Sequence, residues 1–190
     1  MRVFWAKGFA STSMSDLTAA MGIASPSLYA AFGSKEGLYR AAIEHYVTLH
    51  RELVARVMEL PTARESVEGM LREAVTVFSA SDGPGGCMVM QTAAESGAMS
   101  CELAESLCAL RASQDELLLA RLRRGVEEGD VPAGTDIRAV AAFYTTVQRG
   151  LSLSARGGAS FEQLDSVVGS AMSAWASLVG AGDLGSYKSS

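Results

Sequence analysis

Residues 13–32 read SMSDLTAAMGIASPSLYAAF, two short periodic segments separated by Gly-Ile-Ala. This stretch constrains the fold most, because its spacing leaves room for two helices and a tight turn. Ser13 is placed to cap the first helix, with Asp16 three residues on as a carboxylate variant of the capping box. Met14, Leu17 and Met21 follow at helical spacing and are expected to face inward. Gly22 suits a left-handed helix end, and Ile23 can plug the gap between the helices. Ser25 is expected to cap the second helix, with Pro26 at its first position, where a missing N–H costs nothing. Leu28 and Phe32 supply its inner side, leaving Ser25, Ser27, Tyr29, Ala30 and Ala31 outside.

Two helices joined by a short Gly-containing turn, the second slim and uncharged outside, meet the requirements of a helix-turn-helix. Small side chains let such a helix sit deep in a major groove, where Ser hydroxyls meet base edges and Ala methyls meet thymine methyls. Ser25, Ser27 and Ala30 are therefore candidate base contacts on the helix that Pro26 opens. Thr12, Ser13, Tyr29 and Lys35 are candidate phosphate contacts, Lys35 at the start of the next helix beside free backbone N–H groups. The competing reading is a helical hairpin that merely packs. An ordinary solvated helix carries Lys and Glu outside, which this one does not.

The run GFASTSMSDLTAAMGIASPSLYAAFGSKEGLYRAAIEHY resembles the N-terminal domain of the TetR family of transcriptional regulators, especially its AcrR-like branch. The resemblance lies in Gly8-Phe9, Thr12-Ser13, Leu17, Gly22-Ile23, Ser27-Leu28-Tyr29, Phe32 and Ser34-Lys35-Glu36 followed by Leu38. It covers roughly the first quarter of the chain by motif and only the general pattern beyond. It implies an all-α homodimeric repressor, released from DNA when a small molecule enters its larger C-terminal domain. Family members usually carry a longer first helix, often behind a basic arm, so this chain is expected to be clipped at its start.

The chain carries a formal charge of −5 over 190 residues, which does not advertise a nucleic-acid partner. Residues 1–46, however, hold four basic against three acidic side chains, and the remainder twelve against eighteen. The asymmetry is slight but has the sign DNA binding needs. Every apolar run is broken well short of a membrane span, and the protein is expected in the cytoplasm. Cys87, Cys101 and Cys108 have no metal-ligand spacing, and an odd count argues against a disulfide framework. His45 and His50 are wrongly spaced to chelate from one helix face. No metal or cofactor is expected.

In order, residues 1–7 should end a first helix through Val3, Phe4 and Ala6, stopped by Gly8. Leu38, Ala42, Tyr46, Leu49, Leu53, Val57 and Leu60 predict one helix of about 26 residues, about 39 Å long, ending at Pro61. Tilting its far end would displace the helix-turn-helix at its start. Thr62 to Glu65 forms a second capping box, opening a helix with Val67, Met70, Leu71, Ala74, Val77 and Phe78 inward. A Gly-rich loop over 81–86 follows, then a short apolar helix over 87–95 and a long helix from the Ser100 cap to Gly129.

Gln114 stands where that long helix's stripe of leucines calls for an apolar residue. A ligand, a pocket water, a protein partner or simple exposure would each account for it. Met70 and Met90 either line an adaptable pocket or fill core. Cys87, at the start of a helix, is either a thiol activated by the helix dipole or a buried small residue. The family resemblance keeps the first option open, since some members sense electrophiles or oxidants through cysteine, but the buried small residue is the leading expectation.

Phe143, Val147 and Leu151 on one late helix, and Phe161, Leu164, Val168, Ala171, Trp175 and Leu178 on another, predict a two-fold four-helix interface. The alternative is that both stripes are intrachain core. Residues after 179 read as a frayed tail. The expected organisation is all-α, with a helix-turn-helix DNA-binding domain over 1–46 and a ligand-binding and dimerisation domain over 47–190. The leading function is a ligand-responsive DNA-binding regulator that partners with duplex operator DNA and a small-molecule inducer. A helical carrier or enzyme is the rival; it needs a nucleophile, metal cluster or paired carboxylates, and the sequence presents none.

Overall fold

The computed structural model describes residues 1–80 and 83–180, and all its regular elements among these are helical. They run α1 (Arg2–Ser11), α2 (Met14–Met21), α3 (Ser25–Phe32), α4 (Lys35–Met58), α5 (Ala63–Phe78), α6 (Met88–Gln91), a 3-10 turn (Ser96–Ala98), α7 (Cys101–Glu128), α8 (Ile137–Arg156), α9 (Phe161–Ser173) and α10 (Trp175–Gly180). The expected tail beyond Gly180 and the start of the Gly-rich loop lie outside the described residues.

The helix boundaries are written in caps. Ser13, Thr62 and Ser160 each close a reciprocal capping box with the residue three places on, and Ser34, Ser100 and Asp136 cap α4, α7 and α8 singly. Gly22 and Gly129 end α2 and α7 in the left-handed conformation, at φ 66° and 84°. Gly8 interrupts α1 as expected, although the helix resumes at Phe9 and continues to Ser11. Trp5, which the periodicity did not single out, is buried there with Phe4.

α5 is the centre of the C-terminal helices, packed against α4, α7, α8 and α9. Val67 and Leu71 are fully enclosed, each contributing about 1.5–3 kcal/mol through burial. Ser66 and Val75 join them, whereas Met70 and Val77 are only half-buried.

On α4 the inward stripe runs Tyr39, Ile43, Tyr46, His50, Leu53 and Val57, so Leu49 is 56% exposed instead of buried. The His50 ring, its centroid 4.6 Å from that of Tyr46, takes the inward position after Tyr46 in place of Leu49. α6 spans four residues, not nine, because its chain passes into turns at Thr92. The last stripe is also not one helix: it breaks at Ala174, between α9 and α10.

Candidate nucleic-acid interface

The start of α2 is an electrostatic and hydrogen-bonded unit. The Ser13 hydroxyl accepts from the Asp16 amide at 3.0 Å and donates to Asp16 Oδ2 at 2.8 Å, while Oδ2 accepts from the Ser13 amide at 2.9 Å. Lys7 on α1 reaches Asp16 Oδ1 at 2.6 Å. Lys7 first, and Ser13 after it, hold the Asp16 carboxyl far below the usual carboxylate range. Ser13 thus acts as a cap while remaining exposed at the helix end. Met21, expected inside, is 43% exposed, because an eight-residue helix has room on its inner side only for Leu17 and part of Met14.

After the left-handed Gly22, α3 stands on Leu28, which is fully buried, with Phe32 half-buried behind it. Ser25, Pro26, Ser27, Tyr29, Ala30 and Ala31 all lie outside, as their sizes and polarity predicted. The cap differs from expectation: Ala24 holds that position at φ −76°, ψ 151° with no side-chain bond, and its carbonyl accepts from Ser27 and Leu28. Ser25 is therefore the first helical residue. Among the described residues no partner takes up the hydroxyls of Ser25, Ser27 or Tyr29.

Thr12 does not join this surface. It is 1% exposed, and its hydroxyl donates to the Gly8 carbonyl at 2.5 Å, closing the end of α1. Lys35 does join it: the residue opens α4 behind the Ser34 cap, its ammonium 4.5 Å from the Phe9 ring centroid. Phe9 is in turn buried against Tyr39.

The N-terminal helices are tied to the rest of the chain by polar contacts that the sequence did not reveal. Glu36 accepts from both the amide and the hydroxyl of Ser100 at 2.7 Å, and these bonds depress its carboxyl. Arg156, in the last turn of α8, donates to the carbonyls of Trp5 at 2.9 Å and Ala6 at 2.7 Å. Glu95 accepts from the Phe9 amide at 2.7 Å. These partners lie more than sixty residues apart in sequence, so no local pattern announces them.

The four expected ligand-pocket residues differ in exposure. Cys87 is buried, its amide donating to Ser152 Oγ at 2.8 Å. Burial pushes its thiol up, not down, and a four-residue α6 has little dipole to oppose this. Met70 and Met90 pack against the core, and Gln114 is exposed because the α7 stripe turns outward there, with Leu117 exposed beside it. Two grooves open elsewhere on these helices. One of about 330 Å³ between α7 and α8 is lined by Asp115, Glu116, Arg138, Thr145 and Arg149. The other, about 400 Å³ between α8 and α9, is lined by Val147, Gly150, Leu151, Leu164 and Val167.

The predicted pairing face is divided. Leu151, Leu164, Val168, Ala171 and Trp175 belong to the chain's own core, where the Tyr144 hydroxyl donates to the Ala171 carbonyl and binds α8 to α9. Intrachain burial accounts for those five. Phe143 and Phe161 stay exposed, with Val147 and Leu178 half-buried, and Leu153 and Val167 join them at the surface. Among the described residues, no group of three His, Cys, Asp or Glu is placed to share a metal ion, and no helix is long and apolar enough to cross a membrane.

Residues 1–42 match the family model of bacterial regulatory proteins of the tetR family, and residues 63–169 match that of the tetracyclin repressor-like C-terminal domain. The chain belongs to the TetR family. Among TetR-type proteins it is similar to the HTH-type transcriptional repressor ComR of Escherichia coli (strain K12), 32% identical over 183 residues that cover 94% of this chain and 86% of ComR. The repressor BdcR of the same strain is 32% identical over 164 residues, covering 85% of this chain and 78% of BdcR. A solved cysteine mutant of the TetR family regulator CifR, complexed with 26bp double-strand operator DNA, is 42% identical and superposes with a TM-score of 0.85 over 92% of either chain. TetR-family membership makes this chain a transcriptional regulator, not an enzyme, which decides between the two readings of the sequence.

Proposed function

We propose that this protein is a homodimeric repressor that holds a near-palindromic operator and releases it when a small molecule binds among its C-terminal helices. Residues 1–46 read DNA in this proposal, and residues 47–190 pair the subunits and take the ligand. The observation that carries it is the outer side of α3: Ser25, Ser27, Tyr29 and Ala30 lie open beside Lys35 at the N-terminus of α4. Ser25, Ser27 and Ala30 would meet base edges, while Ser13, Tyr29 and Lys35 meet phosphates. With no Arg on α3, direct readout is modest and DNA shape contributes to specificity.

The relatives support this reading. ComR and BdcR are named repressors, and the CifR mutant is held on operator DNA. A second copy would cover Phe143, Leu153, Phe161 and Val167, and two-fold pairing would set two α3 helices over successive major grooves. The protein would then act in the cytoplasm, with its DNA.

The test is a gel shift of the protein's own upstream DNA at fixed salt. Wild type binds, and Tyr29→Ala or Lys35→Ala weakens binding by about fivefold to tenfold at unchanged helicity, the scale of one lost phosphate contact. Normal affinity in both variants would remove α3 and the α4 N-terminus as the DNA-facing surface.

A further inference from the structure

At Gly8 the backbone of α1 leaves the helical region, at φ 79° and ψ 173°, and the helix restarts at Phe9. A restarting helix presents amide N–H groups with no carbonyl behind them. Here the missing acceptor comes from 86 residues away: the Phe9 amide donates to Glu95 Oε2 at 2.7 Å. Glu95 lies in the turns between α6 and the 3-10 segment. A Cβ built on Gly8 would stand 1.8 Å from Glu95 Oε1, so the carboxylate fills space that only glycine leaves free. The Gly8 carbonyl is itself occupied, accepting from the Thr12 hydroxyl at 2.5 Å.

The Phe9 side chain extends this contact to the DNA-facing surface. Its ring lies 5.0 Å from the Tyr39 ring and carries the Lys35 ammonium at 4.5 Å from its centroid. A continuous path therefore runs from Glu95 through the Phe9 amide and ring to Lys35. The segment bearing Glu95 is anchored again at its far end, where Glu36 accepts from Ser100.

We infer that Glu95 is a positioning residue for DNA binding: its carboxylate fixes the break in α1 and, through the Phe9 ring, the placement of the Lys35 ammonium. This rests on the operator-binding reading above. Movement of the turns between α6 and α7 would withdraw the acceptor from Phe9 and release Lys35 from its place, without any contact between Glu95 and DNA.

The experiment uses the full chain with Glu95→Ala, Glu95→Gln, Lys35→Ala and the Glu95→Ala/Lys35→Ala double variant. Wild-type binding to the upstream DNA is established first by fluorescence anisotropy; failure there sinks the operator reading itself. Given binding, Glu95→Ala loses affinity up to the limit of about fivefold to tenfold set by Lys35→Ala, through which it acts, and Glu95→Gln, which keeps an acceptor, stays within about threefold of wild type. The double variant is no weaker than about twofold below Lys35→Ala alone, because both changes act on one path. Amide exchange of the free protein quickens over residues 8–35 in Glu95→Ala and not within α5. Unchanged affinity in Glu95→Ala, additive losses in the double variant, or unchanged exchange over residues 8–35 overturns the inference while leaving operator binding intact.

Discussion

The Arg121 guanidinium faces the Asp130 carboxylate at 3.8 Å in the interior, below the corner that joins α4 to α5. Arg121 Nε donates to Ser66 Oγ at 2.9 Å and Nη2 to the Leu60 carbonyl at 3.1 Å, while Asp130 Oδ2 accepts from the Ala63 amide at 2.5 Å. This pair, its Arg121 buried and its Asp130 half-buried, thus fastens the end of α4 and the start of α5 to the end of α7. A Cβ on Gly125 would meet Asp130 Oδ1 at 2.5 Å, so α7 needs glycine at this closest approach.

Without Asp130 the Arg121 guanidinium keeps Ser66, the Leu60 carbonyl and Glu128 at 3.9 Å, but the Ala63 amide at the start of α5 loses its acceptor. Asp130→Ala is therefore expected to cost about 1–3 kcal/mol, read as a lower urea midpoint at unchanged slope. Glu59→Ala, which removes an exposed partner of Arg124, is expected to cost less than about 1 kcal/mol in the same assay.

The Lys7–Asp16 pair predicts a pH dependence. The folded Asp16 carboxyl titrates well below its unfolded value of about 3.9, so its stabilisation is present above that value and is lost as pH falls through the folded one. Asp16→Asn should melt below wild type at pH 7, and the two melting curves should converge as the pH is taken down from about 4. A gap that persists at the acid end would place the effect in packing instead.

The thiols should divide by exposure. Cys101 and Cys108 are exposed and Cys87 is buried with its thiol pushed up. A chromogenic disulfide at pH 7 should titrate two thiols quickly and the third only at the rate of local opening. Three fast equivalents in the native protein would contradict the burial of Cys87.

The exposed apolar residues of α8 and α9 predict the mode of pairing. Phe143→Arg and Val167→Arg should each convert a dimer to a monomer in light scattering at micromolar concentration, with helicity retained, because both side chains stand outside the chain's own core. Leu164→Arg should instead fail to fold, since Leu164 is buried within it.

Much of the architecture was legible in the amino acids themselves. Ser13 with Asp16, Gly22, Thr62 with Glu65, Ser100 and Gly129 mark helix ends through bonds that span about one turn, so a short window holds all the information they need. The outer composition of α3 and the motif around it identified the family for the same reason. Tertiary structure decided which residues meet. Periodicity states that one side of a helix is covered without saying by what, so Leu164, Val168 and Trp175 satisfied a pairing interface on paper and an internal core in space. The burial that raises the Cys87 thiol, the charge of Arg121 under the α4–α5 corner, and the bond from Phe9 to Glu95 have no signature in their neighbours. Each depends on segments brought together by packing across the whole chain.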